Sequence, residues 1–192
     1  MTAMVAKTEQ KAESHTTILD SASRILRKHG IAGARVADIM KGAGLTVGGF
    51  YAHWKSKEHL IDDTIRRTAS ELRERLFREL DDVADAERAD VVVKRYLNTK
   101  HRDANAAEGL GCPFPAIASE VATTAPEHRE AVAETLDLLV KRMTELVKSR
   151  RVALGIVSLM VGGLTLARAT RGTPISDEVI TACRSLAGSA VG

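Results

Sequence analysis

An all-α fold is predicted, on three observations. Aromatic residues make up only 3% of the 192. The apolar residues are mainly Ala, Val, Leu and Ile, without the extended alternation that marks strands. Where they cluster, they recur at helical spacing. The length suits one medium domain or a small one joined to a larger. The expected division is a flexible N-terminal tail over 1–15, a three-helix head over 16–62 and a helical body over 63–192.

Ile18, Leu19, Ala22, Ile25 and Leu26 predict a first helix over Thr16–His29, closed by Lys28, His29 and Gly30. A second covers Val36–Lys41. The turn Lys41-Gly42-Ala43-Gly44-Leu45 follows, where glycine tolerates left-handed geometry. Thr46 is placed to cap a third helix, Thr46–His53, whose glycines give it little intrinsic stability. Phe50 and Trp54, four apart, are expected to bury its inward face against Ile39, Leu26 and Leu60. Ser56 is placed to cap a long fourth helix reaching Leu80, with the head–body boundary near Asp62.

The body continues with a helix over Glu87–Lys100, a loop over His101–Gly111 and a short helix over Ala116–Val121. Pro126 should start a long amphipathic helix through Val147. An apolar helix over Val152–Thr170 and a serine-capped one over Ser176–Ser189 complete it. The apolar stretch Val152–Ala167 falls short of the ~20 residues that span a bilayer. No signal peptide or membrane span is expected, and the protein is expected in the cytoplasm.

Helix, glycine turn and short glycine-bearing helix together suggest a helix-turn-helix, whose second helix enters a DNA groove. Charge agrees: residues 1–60 carry nine Lys/Arg against five Asp/Glu, the remainder nineteen against twenty. Thr46, Val47, Gly48 and Gly49 form the leading turn, with glycines where backbone can approach DNA. Tyr51 lies about a turn further on and can reach a phosphate or a base edge. His53 and Lys55 are expected to face the DNA backbone. Lys57 opposes its helix dipole and so suits a site beside a phosphate. Arg35 is a further phosphate candidate. Scattered histidines and the absence of a triad order, metal spacing or phosphate loop argue against an enzyme, and no metal or cofactor is expected.

The run from Ile18-Leu19 through Val36-Ala37-Asp38-Ile39, Ala43-Gly44-Leu45-Thr46, Phe50-Tyr51, His53-Trp54 and Ser56-Lys57-Glu58 to Leu60 resembles the N-terminal domain of the TetR family of bacterial transcriptional regulators. The body is similar to a subset of that family around Gly111-Cys112-Pro113-Phe114, Ala118-Ser119-Glu120-Val121 and Leu159–Ala169. The resemblance implies a homodimeric regulator, usually a repressor, with two heads on a palindromic double-stranded DNA operator. It also implies a small-molecule inducer held by the body. Carried over by position, Thr46, Tyr51 and Lys57 are phosphate or base contacts, and Val47 and Gly49 sit at variable specificity positions. Two departures stand out: Trp54 replaces the usual phenylalanine, and Arg35 replaces the usual capping Thr or Ser.

For the inducer cavity, Phe114, Ile117, Met143, Leu146 and Met160 are candidate wall residues, with plain core as the alternative; His101, Arg102 and Asp103 are placed to border it. For the dimer interface, the candidates are Ile156, Met160, Gly163, Leu164, Ala167, Val179, Cys183 and Leu186, with monomer core as the alternative. Cys112 precedes a helix start, where a thiolate is favoured; a redox or electrophile sensor and a buried inert cysteine both remain open. A helical interaction protein without DNA binding is the remaining functional rival.

Overall fold

The computed structural model describes residues 2–104 and 112–190, with side chains from residue 8 onward. The described residues are helical throughout: α1 (Thr2–His29), α2 (Val36–Gly42), a 3-10 helix (Val47–Ala52), α3 (Lys57–Phe77), α4 (Asp85–Tyr96), α5 (Thr99–Asp103), α6 (Phe114–Thr123), a 3-10 turn (Pro126–His128), α7 (Arg129–Val147), α8 (Arg150–Ala169) and α9 (Pro174–Ser189).

Two hydrophobic cores organise them. In the head, Ile18, Leu26, Ile39, Met40, Phe50, Trp54 and Leu60 meet, and Ile117 and Val121 of α6 close the cluster from the body side. In the body, Val92, Val93, Tyr96 and Leu97 pack with Val140, Met143, Ile156, Val157, Met160 and Leu164 of α7 and α8. Burying each large apolar side chain contributes about 1.5–3 kcal/mol, which holds together helices whose own propensity is modest.

Several boundaries differ from expectation. Residues 2–15 are not a tail but the beginning of α1. That stretch is rich in Ala, Lys, Glu and Gln, good helix formers that leave no amphipathic signature. α3 ends at Phe77, because Arg78 turns to an extended conformation. The helix expected over Glu87–Lys100 is interrupted after Tyr96, and Asn98 caps α5 by accepting from the His101 N–H at 2.7 Å. The expected loop over His101–Gly111 is thus helical at its start, and its 105–111 portion lies outside the described residues.

Lys148, left-handed at φ 56°, and Ser149, which caps α8, turn the chain from α7 into α8 within two residues. From this cap α8 runs for twenty residues, and an 18-residue window within it has mean hydropathy 1.8, long and apolar enough by length and composition to cross a membrane. One face of α8 packs into the body core. At α9 the first turn begins at Pro174, and Ser176 is no cap. It is buried and donates to the Ala167 carbonyl at 2.7 Å.

Candidate nucleic-acid interface

The turn after α2 closes as a paired hydrogen-bond motif. Leu45 N–H donates to the Met40 carbonyl at 2.9 Å and Gly44 N–H to Lys41 at 3.0 Å. Gly44 has φ +70°, the left-handed state that glycine adopts without a Cβ penalty. The next segment is a 3-10 helix, not the α-helix expected over Thr46–His53. Two glycines in six residues cannot sustain an α-helix, and the Phe50 side chain instead pins the segment to the head core. Thr46 supplies no side-chain cap; its carbonyl accepts from Gly49 N–H at 3.0 Å. Ser56 does cap α3, accepting from His59 N–H at 3.4 Å.

This anchoring turns one face outward. Val47 is 48% exposed and Tyr51 75%, with Thr46, Gly48 and Lys55 exposed beside them. A Cβ on Gly48 would meet nothing within 4 Å, whereas one on Gly49 would lie 3.8 Å from the Met40 methyl. Arg35 stands exposed at the start of α2 and, as its departure from Thr or Ser suggested, provides no side-chain cap.

Two expected contacts are partly engaged elsewhere. His53 is half-buried, its ring 5.7 Å from those of His15 and Trp54. Burial, then the neighbouring His15 and Lys11, hold its pKa below the usual histidine value, so it adds no charge to the outward face at neutral pH. Lys57 donates from Nζ to the Ile31 carbonyl at 3.3 Å, a partner that accounts for a cation at the positive end of a helix. Trp54 is buried, stacks on His15 at 4.2 Å and donates from Nε1 to Asp63 at 2.9 Å. The sequence pattern signalled neither partner, since both lie outside the turn-to-turn motif.

The head is fastened to the body by side chains distant in sequence. Both Glu120 carboxylate oxygens accept backbone N–H bonds, from Ile31 at 2.9 Å and Ala32 at 2.8 Å. They cap the turn after α1, where Gly30 has φ +67° and any Cβ would collide with that carboxylate. Nearby, the buried His128 shares a 2.7 Å hydrogen bond between Nδ1 and the Asp62 carboxylate. α6 and the 3-10 turn before α7 therefore bear directly on the head, at its α1–α2 turn and at α3.

The body residues expected to form other sites are largely core. Phe114, Met143 and Met160 are buried in the body cluster with Leu146 packed against it, while Ile117 belongs to the head cluster. None of them lines the hollows beside α3, and in sequence a buried apolar residue and a cavity wall look alike. Ile156, Met160, Gly163, Leu164 and Ala167 likewise face the interior of the chain itself. At Gly163 a Cβ would sit 2.7 Å from Cys183 Sγ, so α8 and α9 touch there almost backbone to side chain. Val179 and Cys183 are half-buried, and Leu186 is 59% exposed. The opposite stripe of α8 carries the exposed residues: Leu154 and Leu166 with Gly155, Ser158 and Gly162. Cys112 is buried, which pushes its thiol up to about 11 and defeats the thiolate that a helix start would favour. Among the described residues, no group of three His, Cys, Asp or Glu could hold a metal ion.

Comparison with known proteins agrees with this geometry. The profile for bacterial regulatory proteins of the tetR family matches residues 18–64, which span the whole motif. The HTH-type transcriptional regulator AcrR of Shigella flexneri is 35% identical over 72 residues, 37% of this chain and 34% of AcrR. The HTH-type transcriptional repressor KstR2 of Rhodococcus jostii is 34% identical over 59 residues, 31% of this chain and 29% of KstR2. The matched stretches thus span about a third of these relatives' length. Over nearly the full length, the crystal structure of a TetR transcriptional regulator from Chloroflexus aurantiacus superposes with a TM-score of 0.77 at 25% identity, covering 92% of this chain and 95% of that one. Residues 18–64 thus carry the TetR-family signature, and head, turn and helical body together have the fold of a TetR transcriptional regulator.

Proposed function

We propose that the protein is a sequence-specific, non-catalytic DNA-binding regulator that acts in the cytoplasm as a homodimeric repressor of a palindromic operator and is released by a small-molecule inducer. The observation that carries this reading is the outward face of the 3-10 helix. Thr46, Val47, Gly48 and Tyr51 are presented to solvent, and the buried Phe50 and Trp54 hold them in place. In a major groove, Gly48 admits close approach of the backbone, and Val47 offers methyl contact to thymine. Tyr51, Lys55 and Arg35 reach phosphates and fix the register. Repression is the sign carried by KstR2's description.

Dimerisation is supported by the apolar stripe that one protomer leaves uncovered, Leu154 and Leu166 on α8 with Leu186 on α9. Pairing these helices across a twofold axis buries it and sets two heads about one DNA turn apart, ~35 Å. Glu120 then supplies the coupling. A shift of α6 on inducer binding pulls on Ile31 and Ala32, and through them on the α1–α2 junction.

Selection of bound duplexes from a random pool, at stated salt, tests the reading. A palindromic site with matched half-sites supports it. Salt-sensitive binding without sequence preference refutes it. On the selected site, Arg35→Ala is expected to lower the slope of log affinity against log salt by about one.

A further inference from the structure

The body contains a cavity of about 420 Å³ between α3, α4 and α5 whose lining is unlike the rest of the surface. Leu72 and Leu76 supply an apolar wall, and Arg75, Arg78, Arg95 and Lys100 stand around it without a carboxylate among the described lining residues. A shallower cavity of about 460 Å³ shares Arg75 and Arg78, but Glu71 and Glu74 line it too and offset its charge. Arg95 is fixed by donating to the Leu76 and Arg78 carbonyls, the former at 2.9 Å. Arg75 and Lys100 make no hydrogen bond or ion pair with a described residue. Several like charges around one hollow repel one another, and an anion placed there relieves that repulsion.

His101 forms part of the lining and is itself uncharged. Its Nδ1–H donates to the Tyr96 carbonyl at 2.6 Å, and its Nε2 accepts from Cys112 N–H at 3.1 Å, so both ring nitrogens are used in one neutral tautomer. Its own carbonyl accepts from Arg168 at 2.9 Å. Behind it the Tyr96 hydroxyl is fully buried, with the Cys112 thiol as its polar neighbour. His101 therefore joins the cavity to Cys112, just before α6, and α6 carries the Glu120 clasp.

We infer that this cavity is the effector site and that its ligand is an organic anion, with an acidic group among Arg75, Arg78, Arg95 and Lys100 and an apolar portion against Leu72 and Leu76. The assignment as effector site rests on the repressor reading above. The binding chemistry does not, because it is measured on the free protein. An acidic group in the cavity presses on α5 at His101, whose hydrogen bond to the Cys112 N–H links it to the residues that lead into α6.

The test uses the full-length protein with 8-anilinonaphthalene-1-sulfonate as anionic probe and N-phenyl-1-naphthylamine as its neutral counterpart. Joint substitution Arg75→Gln and Lys100→Gln removes two exposed charges that brace nothing, so the fold is preserved. It is expected to weaken the sulfonate by about tenfold and to leave the neutral dye unchanged. Lys141→Gln, an exposed cation on α7 away from the cavity, is expected to change neither. Failure of the sulfonate to bind saturably, equal loss in the Lys141 variant, or a parallel loss of the neutral dye would overturn the inference. Failure to find an operator would instead strike the repressor reading and leave these binding results standing.

Discussion

Head and body both rest on buried apolar cores, yet they place their chemistry differently. The head presents all its candidate contacts but Arg35 from one continuous stretch, Thr46 to Lys55, held by two aromatic anchors within it. The body gathers its cationic cavity from α3, α4 and α5, whose contributing residues run from Leu72 to Ala104. A surface built from neighbours in sequence is fixed by local turns and caps. A hollow built from three helices is fixed by how those helices pack. The head should therefore fail through single anchors, and the body through changes that shift packing or charge.

The largest expected effect is Phe50→Ala. Removing this buried ring should cost the head about 3–5 kcal/mol and abolish DNA binding. Anion binding in the body should survive, as followed by urea unfolding and dye titration on one sample. Loss of both together would break the distinction between the regions.

Next is the pH response of the body. Burial holds the His101 pKa at about 4 against 6.5 for the free side chain. As pH falls below 6.5 the unfolded chain gains a proton that the native ring refuses. Stability present above that pH is lost progressively down to about 4, by at most about 3 kcal/mol. Unfolding midpoints between pH 7.5 and 4.5 should show this decline, and His101→Gln should flatten it.

At the junction, Gly30→Ala puts a side chain into a left-handed position and against the Glu120 carboxylate. A loss of about 2 kcal/mol is expected, with faster amide exchange at Ile31 and Ala32 as the local sign. The smallest effect lies at the α7–α8 hairpin. Lys148 is left-handed at φ 56°. Lys148→Gly should raise stability by about 1 kcal/mol and leave operator affinity unaltered.

The same contrast explains how much the sequence discloses. Phe50 and Trp54 at a spacing of four, Gly44 at its turn and Ser56 at its cap are local signals, and each is found where the pattern puts it. The 3-10 geometry is less visible, because it follows from how far Phe50 must reach into the core. α8 shows a different limit. Both of its faces are apolar or small, so periodicity identifies two stripes but not which one is covered. The stripe of Ile156, Met160 and Leu164 proved internal, and Leu154 and Leu166 lie outside. Glu120 offers no local sign at all, since its partners Ile31 and Ala32 are nearly ninety positions away. The cationic cavity is hidden for the same reason: its arginines read singly as solvated helix residues.

The most direct test of the central claim is the affinity of Gly48→Leu for the selected operator, measured by fluorescence anisotropy beside its thermal unfolding. In the free protein nothing lies within 4 Å of a Cβ at Gly48, so the substitution should leave stability unchanged. If this face enters DNA, the added side chain meets the groove and operator affinity should fall by at least about a hundredfold, which corresponds to about 2.7 kcal/mol. Unchanged affinity in a normally folded variant would contradict the account, because the segment would then lie away from the DNA.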